Sequence, residues 1–466
     1  MRDSDNQPRI VIAGMSGDSG KTLIALALIL ALRHRGMEVR AYKKGPDYID
    51  AAWLSWASGR PARNLDSYLM GFRGCTEAFA QTAARAGVNV IEGNRGLYDG
   101  SDAQGTHSTA MLARSLKAPV LLAVSTAKVT RTAAAWVLGC QKLDPQVHIV
   151  GAILNRVSGQ RQEQVVRDAI ESSCGIPVLG VIPRVSDSGL LPARHLGLVT
   201  TYEHPRIHEL KDNLTRLVQG RLDLDGIVSL AEKSPPLEVA PASPPESPEA
   251  RGLRMGFLRD AAFSFYYPEN LEQLEQSGAD LIPVSPLTAN ALPANLDALY
   301  IGGGFPETHG AALSANHDFL ASLRSAALSG LPIYAECGGL MLLSQAIRWQ
   351  DTHHPMAAVF PFQVEVLGSP QGHGYVELVV DQPNPFFPTG LALRGHEFHY
   401  SRIVGGTSRV PTACRVCRGT GCGQQRDGMV QGNVWAGYTH LHARGTPEWG
   451  RAMLNAAQRR ARMRRG

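Results

Sequence analysis

Residues 9–36 read RIVIAGMSGDSGKTLIALALILALRHRG: an apolar run, a glycine-rich turn, then a second apolar run closed by Gly36. Strand, glycine loop and helix in this order form the context that phosphate binding requires, because backbone N–H groups of the turn and the helix N-terminus can meet phosphate oxygens. Gly14, Ser16, Gly17, Ser19 and Gly20 would form the cradle for ATP. Lys21 can reach the terminal phosphates, and Thr22 can ligate Mg²⁺.

Such a unit needs neighbouring strands, and the sequence supplies them. Strands are expected at 39–42, 88–92, 120–124, 149–154 and 178–182, mostly separated by helix-length segments, which implies a doubly wound parallel sheet with right-handed crossovers. The stretch 232–251, EKSPPLEVAPASPPESPEAR, is too rich in proline, serine and glutamate to bury a core. It divides the chain into residues 1–231, a linker 232–251, and residues 252–466. The second part repeats the alternation, with RMGFLRD, ADLIPV, DALYIGGG and LPIYAE as successive strands, so the fold class is α/β in both parts.

Composition excludes other classes. The longest apolar run, residues 23–32, is far short of the ~18 residues of a membrane span. Seven cysteines scattered over 466 residues suggest a reducing, cytoplasmic setting rather than a disulfide framework. Five arginines crowd the last eight residues. Without interleaved aromatics they read as a frayed, solvated tail and not a nucleic-acid arm.

Phosphoryl transfer also needs carboxylates for Mg²⁺. Asp47 in KKGPDYID and Glu92 in IEGNRGLYDG each follow an expected strand, at the sheet edge where such sites assemble. Either residue could instead be merely solvated. Lys43 and Lys44 read equally as phosphate or substrate contacts and as a wet surface pair.

In the second part, YAECGGL sets Cys337 on a sharp turn from strand to helix, between Ala335 and the small residues Gly338 and Gly339. A helix N-terminus there would favour the thiolate, and the Gly338 N–H can serve an oxyanion hole. A second donor could come from Gly303 or Gly304 in GGGFPE. The base should be a histidine, and YTHLH offers His440 and His442, which share a face on a strand.

Taken together, GMSGDSGKT, KKGPDYID, EGNRGLYDG, RHLGLV, AFSFYYPENLEQLE, YIGGGFPE, YAECGGLM, GHEFHYSR and YTHLH resemble the cobyrinate a,c-diamide synthase family, in the family's order and over nearly the whole chain. The resemblance implies an ATP-dependent synthetase joined to a class I glutamine amidotransferase, with Cys337 as nucleophile and His440 as its activator. The phosphate loop departs from the strict spacing, since five residues rather than four separate Gly14 from Gly20, and is similar to the dethiobiotin-synthetase variant. Position 16 is serine where the related partitioning ATPases carry a signature lysine, which counts against a regulatory ATPase. A glutamate normally follows the amidotransferase histidine by two positions; residue 442 here is histidine, so no orienting acid is assigned.

By the same resemblance the partners are ATP, L-glutamine and a tetrapyrrole polycarboxylate amidated on its a and c acetate groups, with neither nucleic acid nor membrane. A homodimer is left open, and ammonia is expected to pass between the sites through a sheltered channel. Asn94 and Arg95 depart from the corrinoid members, which keeps sirohaem and nickel-sirohydrochlorin as alternative acceptors. In GHEFHYSR, His396 and Phe398 should face one way and Glu397 and His399 the other; substrate contact and core-edge packing both fit. Cys414, Cys417 and Cys422 surround RGTG, which reads as a hairpin turn and not a metal site.

Overall fold

The computed structural model describes residues 7–185, 191–194, 197–238, 250–406 and 410–465. The chain forms two compact units, Met1–Ala242 and Ser243–Gly466. The expected linker falls largely outside the described residues, and so does the centre of the RHLGLV motif.

The first unit is built on seven parallel strands: β1 (Arg9–Gly14), β2 (Val39–Lys44), β3 (Arg63–Leu65), β4 (Val88–Gly96), β5 (Val120–Ser125), β6 (Ile149–Val157) and β7 (Val178–Pro183). Their order is β3-β2-β4-β1-β5-β6-β7. Strand order reverses at β1, which is flanked by β4 and β5, and in open α/β sheets such a switch point leaves a crevice at the C-terminal strand ends. Gly14, Lys43, Lys44 and Glu92 all stand at that edge. The helix Lys21–His34 follows the loop, and residues 24–32 are nearly all sealed from solvent. An apolar run with no polar face needs cover all round. The sheet supplies it on one side and the helices Tyr48–Ser58 and Ile207–Val218 on the other.

The second unit carries a ten-stranded mixed sheet. Four parallel strands, Asp280–Val284, Arg254–Leu258, Ala298–Ile301 and Ile333–Glu336, lead to Val434–Gly437, which is parallel to Ile333–Glu336 and hands over to antiparallel strands. The central strand is buried on both faces, as parallel strands are. Ile333 and Ala335 enter one core cluster and Tyr334 the opposite one, where it stacks on Trp435 with ring centroids 4.6 Å apart.

One expectation is corrected. The arginine-rich terminus is not frayed, because it forms the last turns of the helix Glu448–Arg465. Ala461 is buried, Arg460 Nη1 donates to the Ser329 carbonyl at 2.8 Å, and Arg464 pairs with the buried Asp297 at 3.2 Å. In the strand Ala392–His399, His396 and Glu397 are both buried although they point to opposite faces, and of the HEFH residues Phe398 alone is exposed. Core lies on both sides of this strand where it meets His440–Leu441.

Candidate functional site

In the first unit the loop after β1 turns on Gly20, whose φ of 87° lies in the left-handed region. A Cβ there would stand 2.1 Å from Asn155 Nδ2, which donates to the Ser19 carbonyl at 2.9 Å and ties the loop to β6. Ser16, Gly17 and Asp18 are exposed, whereas Ser19 and Lys21 are buried. The Lys21 ammonium folds onto the loop and donates to the Ser16 carbonyl at 2.9 Å and, more weakly, to that of Gly17 at 3.3 Å. Burial and then the charge of Lys43 pull its pKa down to about 8.

Thr22 Oγ1 donates to Glu92 Oε1 at 2.7 Å, and Lys43 Nζ reaches the same oxygen at 2.9 Å and Asp50 Oδ2 at 2.6 Å. Register explains the cluster, since Lys43 is paired directly with Glu92 across β2 and β4. Burial pulls the Lys43 ammonium down, but Asp50 and Glu92 more than offset this and hold it charged. Burial, with Asp50 adding, pushes the Glu92 carboxyl up to about 7. Its Oε2 is buried and has no hydrogen-bond partner among the described residues. A buried carboxylate oxygen without a donor is costly unless a cation meets it, so Thr22 and Glu92 fit a hard divalent ion.

Asp47, expected beside them, is used differently. Its Oδ1 caps the helix Tyr48–Ser58, accepting the Ile49 and Asp50 N–H groups at 2.8 and 2.9 Å. Asp50, one turn on, makes the contact to Lys43; sequence reasoning passed over it because the DxxD spacing in PDYID signals only a helix start. Lys43 and Lys44 do not form a wet surface pair, since they are 2% and 6% exposed. Burial lowers the Lys44 pKa, and the charge of Asp66 only partly opposes this.

In the second unit the strand Ile333–Glu336 ends at Cys337, whose φ of 49° and ψ of −99° hold it in a strained conformation costing on the order of 1–3 kcal/mol. Such strain is sustained by over-determination: the Cys337 N–H donates to the Gly437 carbonyl at 2.7 Å, and its carbonyl accepts the Met341 N–H at 3.1 Å. Around the elbow there is room only for glycine. A Cβ on Gly338 would stand 3.0 Å from the Gly304 nitrogen, and one on Gly339 2.6 Å from the Ile301 carbonyl oxygen. The Gly303–Gly304 segment is therefore packed against the elbow. A Cβ on Gly303 would lie 2.6 Å from His440 Cε1 and 3.4 Å from its Nε2.

The structure thus gathers Cys337, Gly338, Gly303, Gly304 and His440, and it separates the two histidines. His440 faces Glu336, 3.4 Å from Nδ1 to Oε2, and stacks on His396 at 5.0 Å. The strand stops at Leu441, and His442 packs on Tyr267 at 4.5 Å and lies 3.7 Å from Glu269. Burial and the neighbouring imidazoles push His396 well below its ordinary value. The helix N-terminus, expected to favour the thiolate, is outweighed. Burial, then Glu307, push the Cys337 thiol well up, and the Gly338 N–H only partly opposes them. The helix Gly338–Leu343 has six residues, too short a dipole to outweigh the loss of water. Of the cysteines around RGTG, Cys414 is buried, Cys417 is exposed, and Cys422 donates to Asp427 at 3.0 Å.

Comparison with known proteins agrees with this division. Residues 10–199 match the family model described as the CobQ/CobB/MinD/ParA nucleotide binding domain, and residues 254–447 match that of the CobB/CobQ-like glutamine amidotransferase domain. Among curated relatives, cobyrinate a,c-diamide synthase of Magnetococcus marinus is 42% identical over 448 residues, covering 95% of each chain. The proteins of that name from Archaeoglobus fulgidus and Salmonella typhimurium are 41% and 36% identical. They cover 93% and 96% of this chain, and 94% and 98% of their own lengths are matched.

Proposed function

The chain belongs to the cobyrinate a,c-diamide synthase family, a family of glutamine-dependent carbon–nitrogen ligases, and on that premise we propose that it converts the a and c acetate groups of cobyrinate to amides. The observation that carries this reading is similarity to the family's synthases over 95% of both chains. We assign residues 1–231 to carboxylate activation, 252–466 to glutamine hydrolysis and 232–251 to the linker. A cytoplasmic setting is part of the same reading, as the sparse, scattered cysteines of the sequence suggest.

A carboxylate resists amidation because its charge repels nucleophiles and oxide is a poor leaving group. In the proposed first step a carboxylate oxygen attacks the γ-phosphorus of ATP, the bond to the β,γ-bridging oxygen breaks, and ADP leaves. Lys21 stabilises the transferred phosphoryl group, and Lys43 fixes Glu92 beside Thr22. Mg²⁺, held by Thr22 and Glu92, would supply neutralisation of the triphosphate. Lys44, a buried lysine at the same sheet edge, suits an incoming carboxylate.

In the second unit Cys337 gives its proton to His440 while sulfur attacks the glutamine amide carbon. The N–H groups of Gly338 and Gly304 receive the oxyanion, the proton on His440 passes to the departing nitrogen, ammonia leaves as the thioester forms, and water later cleaves the thioester, releasing glutamate and restoring the Cys337 thiol. Ammonia then attacks the acyl phosphate, phosphate departs, and the amide remains.

The test is mass spectrometry of products from ATP, Mg²⁺ and glutamine with cobyrinic acid, sirohaem or nickel-sirohydrochlorin. Two conversions of carboxylate to amide on cobyrinic acid are expected. Sirohaem is the runner-up acceptor, with nickel-sirohydrochlorin beside it, because Asn94 and Arg95 depart from the corrinoid members. Conversion of sirohaem alone would select that reading and overturn the cobyrinate assignment.

A further inference from the structure

We infer that Glu336, the residue immediately before Cys337, orients His440 for glutamine hydrolysis. The inference rests on the assignment of Cys337 and His440 as the glutaminase pair, and it supplies the acid that position 442 lacks. Glu336 is sealed from solvent at the end of the central strand. Its Oε1 accepts the Tyr334 hydroxyl at 3.2 Å and the Leu441 N–H at 3.1 Å; its Oε2 accepts the Tyr300 hydroxyl at 3.1 Å and faces His440 Nδ1 at 3.4 Å. Each of these neighbours can donate, and an ionised carboxylate is the side chain that only accepts.

The consequence for His440 is a tautomer. With Nδ1–H directed to Glu336, the bare lone pair is on Nε2, the nitrogen nearest the position a Gly303 Cβ would take. Gly303 belongs to the segment packed against the elbow, so the basic nitrogen is turned towards the nucleophile's side. When the Cys337 S–H bond breaks and its proton moves to Nε2, the imidazolium charge is met by Glu336. His396, stacked on the other side, cannot substitute, since its own Nδ1 is engaged with the Tyr267 hydroxyl at 3.1 Å. Glu307 and Glu397 are the remaining carboxylates around Cys337.

The backbone explains why an acid can work from this position. Cys337 and Glu336 are consecutive, and His440 follows by three residues the Gly437 carbonyl that anchors the Cys337 N–H. The pairing of Ile333–Glu336 with Val434–Gly437 therefore fixes nucleophile and acid, and the base stands three residues beyond the end of the second of these strands. Sequence spacing after the histidine cannot reveal this.

The experiment measures glutamate release by the full-length protein against pH in wild type, Glu336→Gln and Cys337→Ala, with no tetrapyrrole needed. In Glu336→Gln, kcat/KM for glutamine should fall at least about tenfold. Its acidic limb should move to lower pH, because the carboxylate that meets the imidazolium formed by proton transfer is gone. A reduced rate with an unmoved limb would make Glu336 merely structural and overturn the proposal, as would an unchanged rate. Full glutamate release by Cys337→Ala would instead sink the glutaminase assignment itself. Should Glu336→Gln not fold, histidine ¹⁵N NMR of the wild type decides: an Nδ1–H tautomer at His440 is expected, and an Nε2–H tautomer rules the orienting role out.

Discussion

Thr22 Oγ1 donates its 2.7 Å hydrogen bond to the same Glu92 oxygen that Lys43 occupies at 2.9 Å, so one carboxylate joins the phosphate loop to β2. The other oxygen of Glu92 is left for a cation.

Glu92→Gln should raise the Mg²⁺ concentration needed for half-maximal ATP turnover by about tenfold or more, since the replacement amide is uncharged. Asp47→Asn is the comparison, because its amide oxygen can keep the helix cap. A Mg²⁺ titration that does not move in Glu92→Gln removes Glu92 from the metal site; one that does not move in Asp47→Asn leaves Asp47 as a cap alone.

Lys21→Ala should reduce amidation by about 10²–10³-fold, whether ammonia comes from glutamine or from added ammonium salts. Glutamate release should continue. Full amidation from either nitrogen source would refute the phosphate-loop role.

Cys337 should react with iodoacetamide slowly at neutral pH. Its thiol lies above the ordinary value because burial disfavours the thiolate, so the reactive fraction grows with pH and saturates only in strongly alkaline solution. Peptide mapping separates Cys337 from the exposed Cys417. A rate that levels off near pH 7 would mean a thiolate already formed at rest.

Gly303→Ala would place a methyl group 2.6 Å from His440 Cε1. Overpacking of this kind costs about 1–3 kcal/mol and would push the imidazole away from the elbow. Glutamate release should drop far more than ammonium-dependent amidation; equal losses in the two assays would show that Gly303 has no special relation to His440.

Deleting residues 459–466 should destabilise the second unit, because Arg459, Arg460 and Arg464 bond to Pro385, Ser329 and Asp297. Stranding the buried Asp297 alone should cost roughly 3 kcal/mol. Calorimetry should show that unit melting several degrees lower. An unchanged melting temperature would restore the picture of a loose tail.

Much of this protein was written in local sequence. Strand, glycine loop and apolar helix at residues 9–36 determined the parallel sheet and the phosphate site, because few arrangements satisfy the backbone donors of GMSGDSGKT and bury the run at residues 24–32. YAECGGL likewise determined the elbow, since small neighbours are what a strained cysteine turn requires.

What sequence alone left open involves partners brought together from distant segments. The different contacts of Asp47 and Asp50 depend on where the helix Tyr48–Ser58 begins, with Asp47 capping it and Asp50 meeting Lys43 from its first turn. The state of Cys337 depends on burial, which only the closed core sets. The difference between His440 and His442 arises where the last short strand stops. The acid facing His440 comes from a residue 104 positions earlier in the chain, a meeting that sheet pairing alone decides.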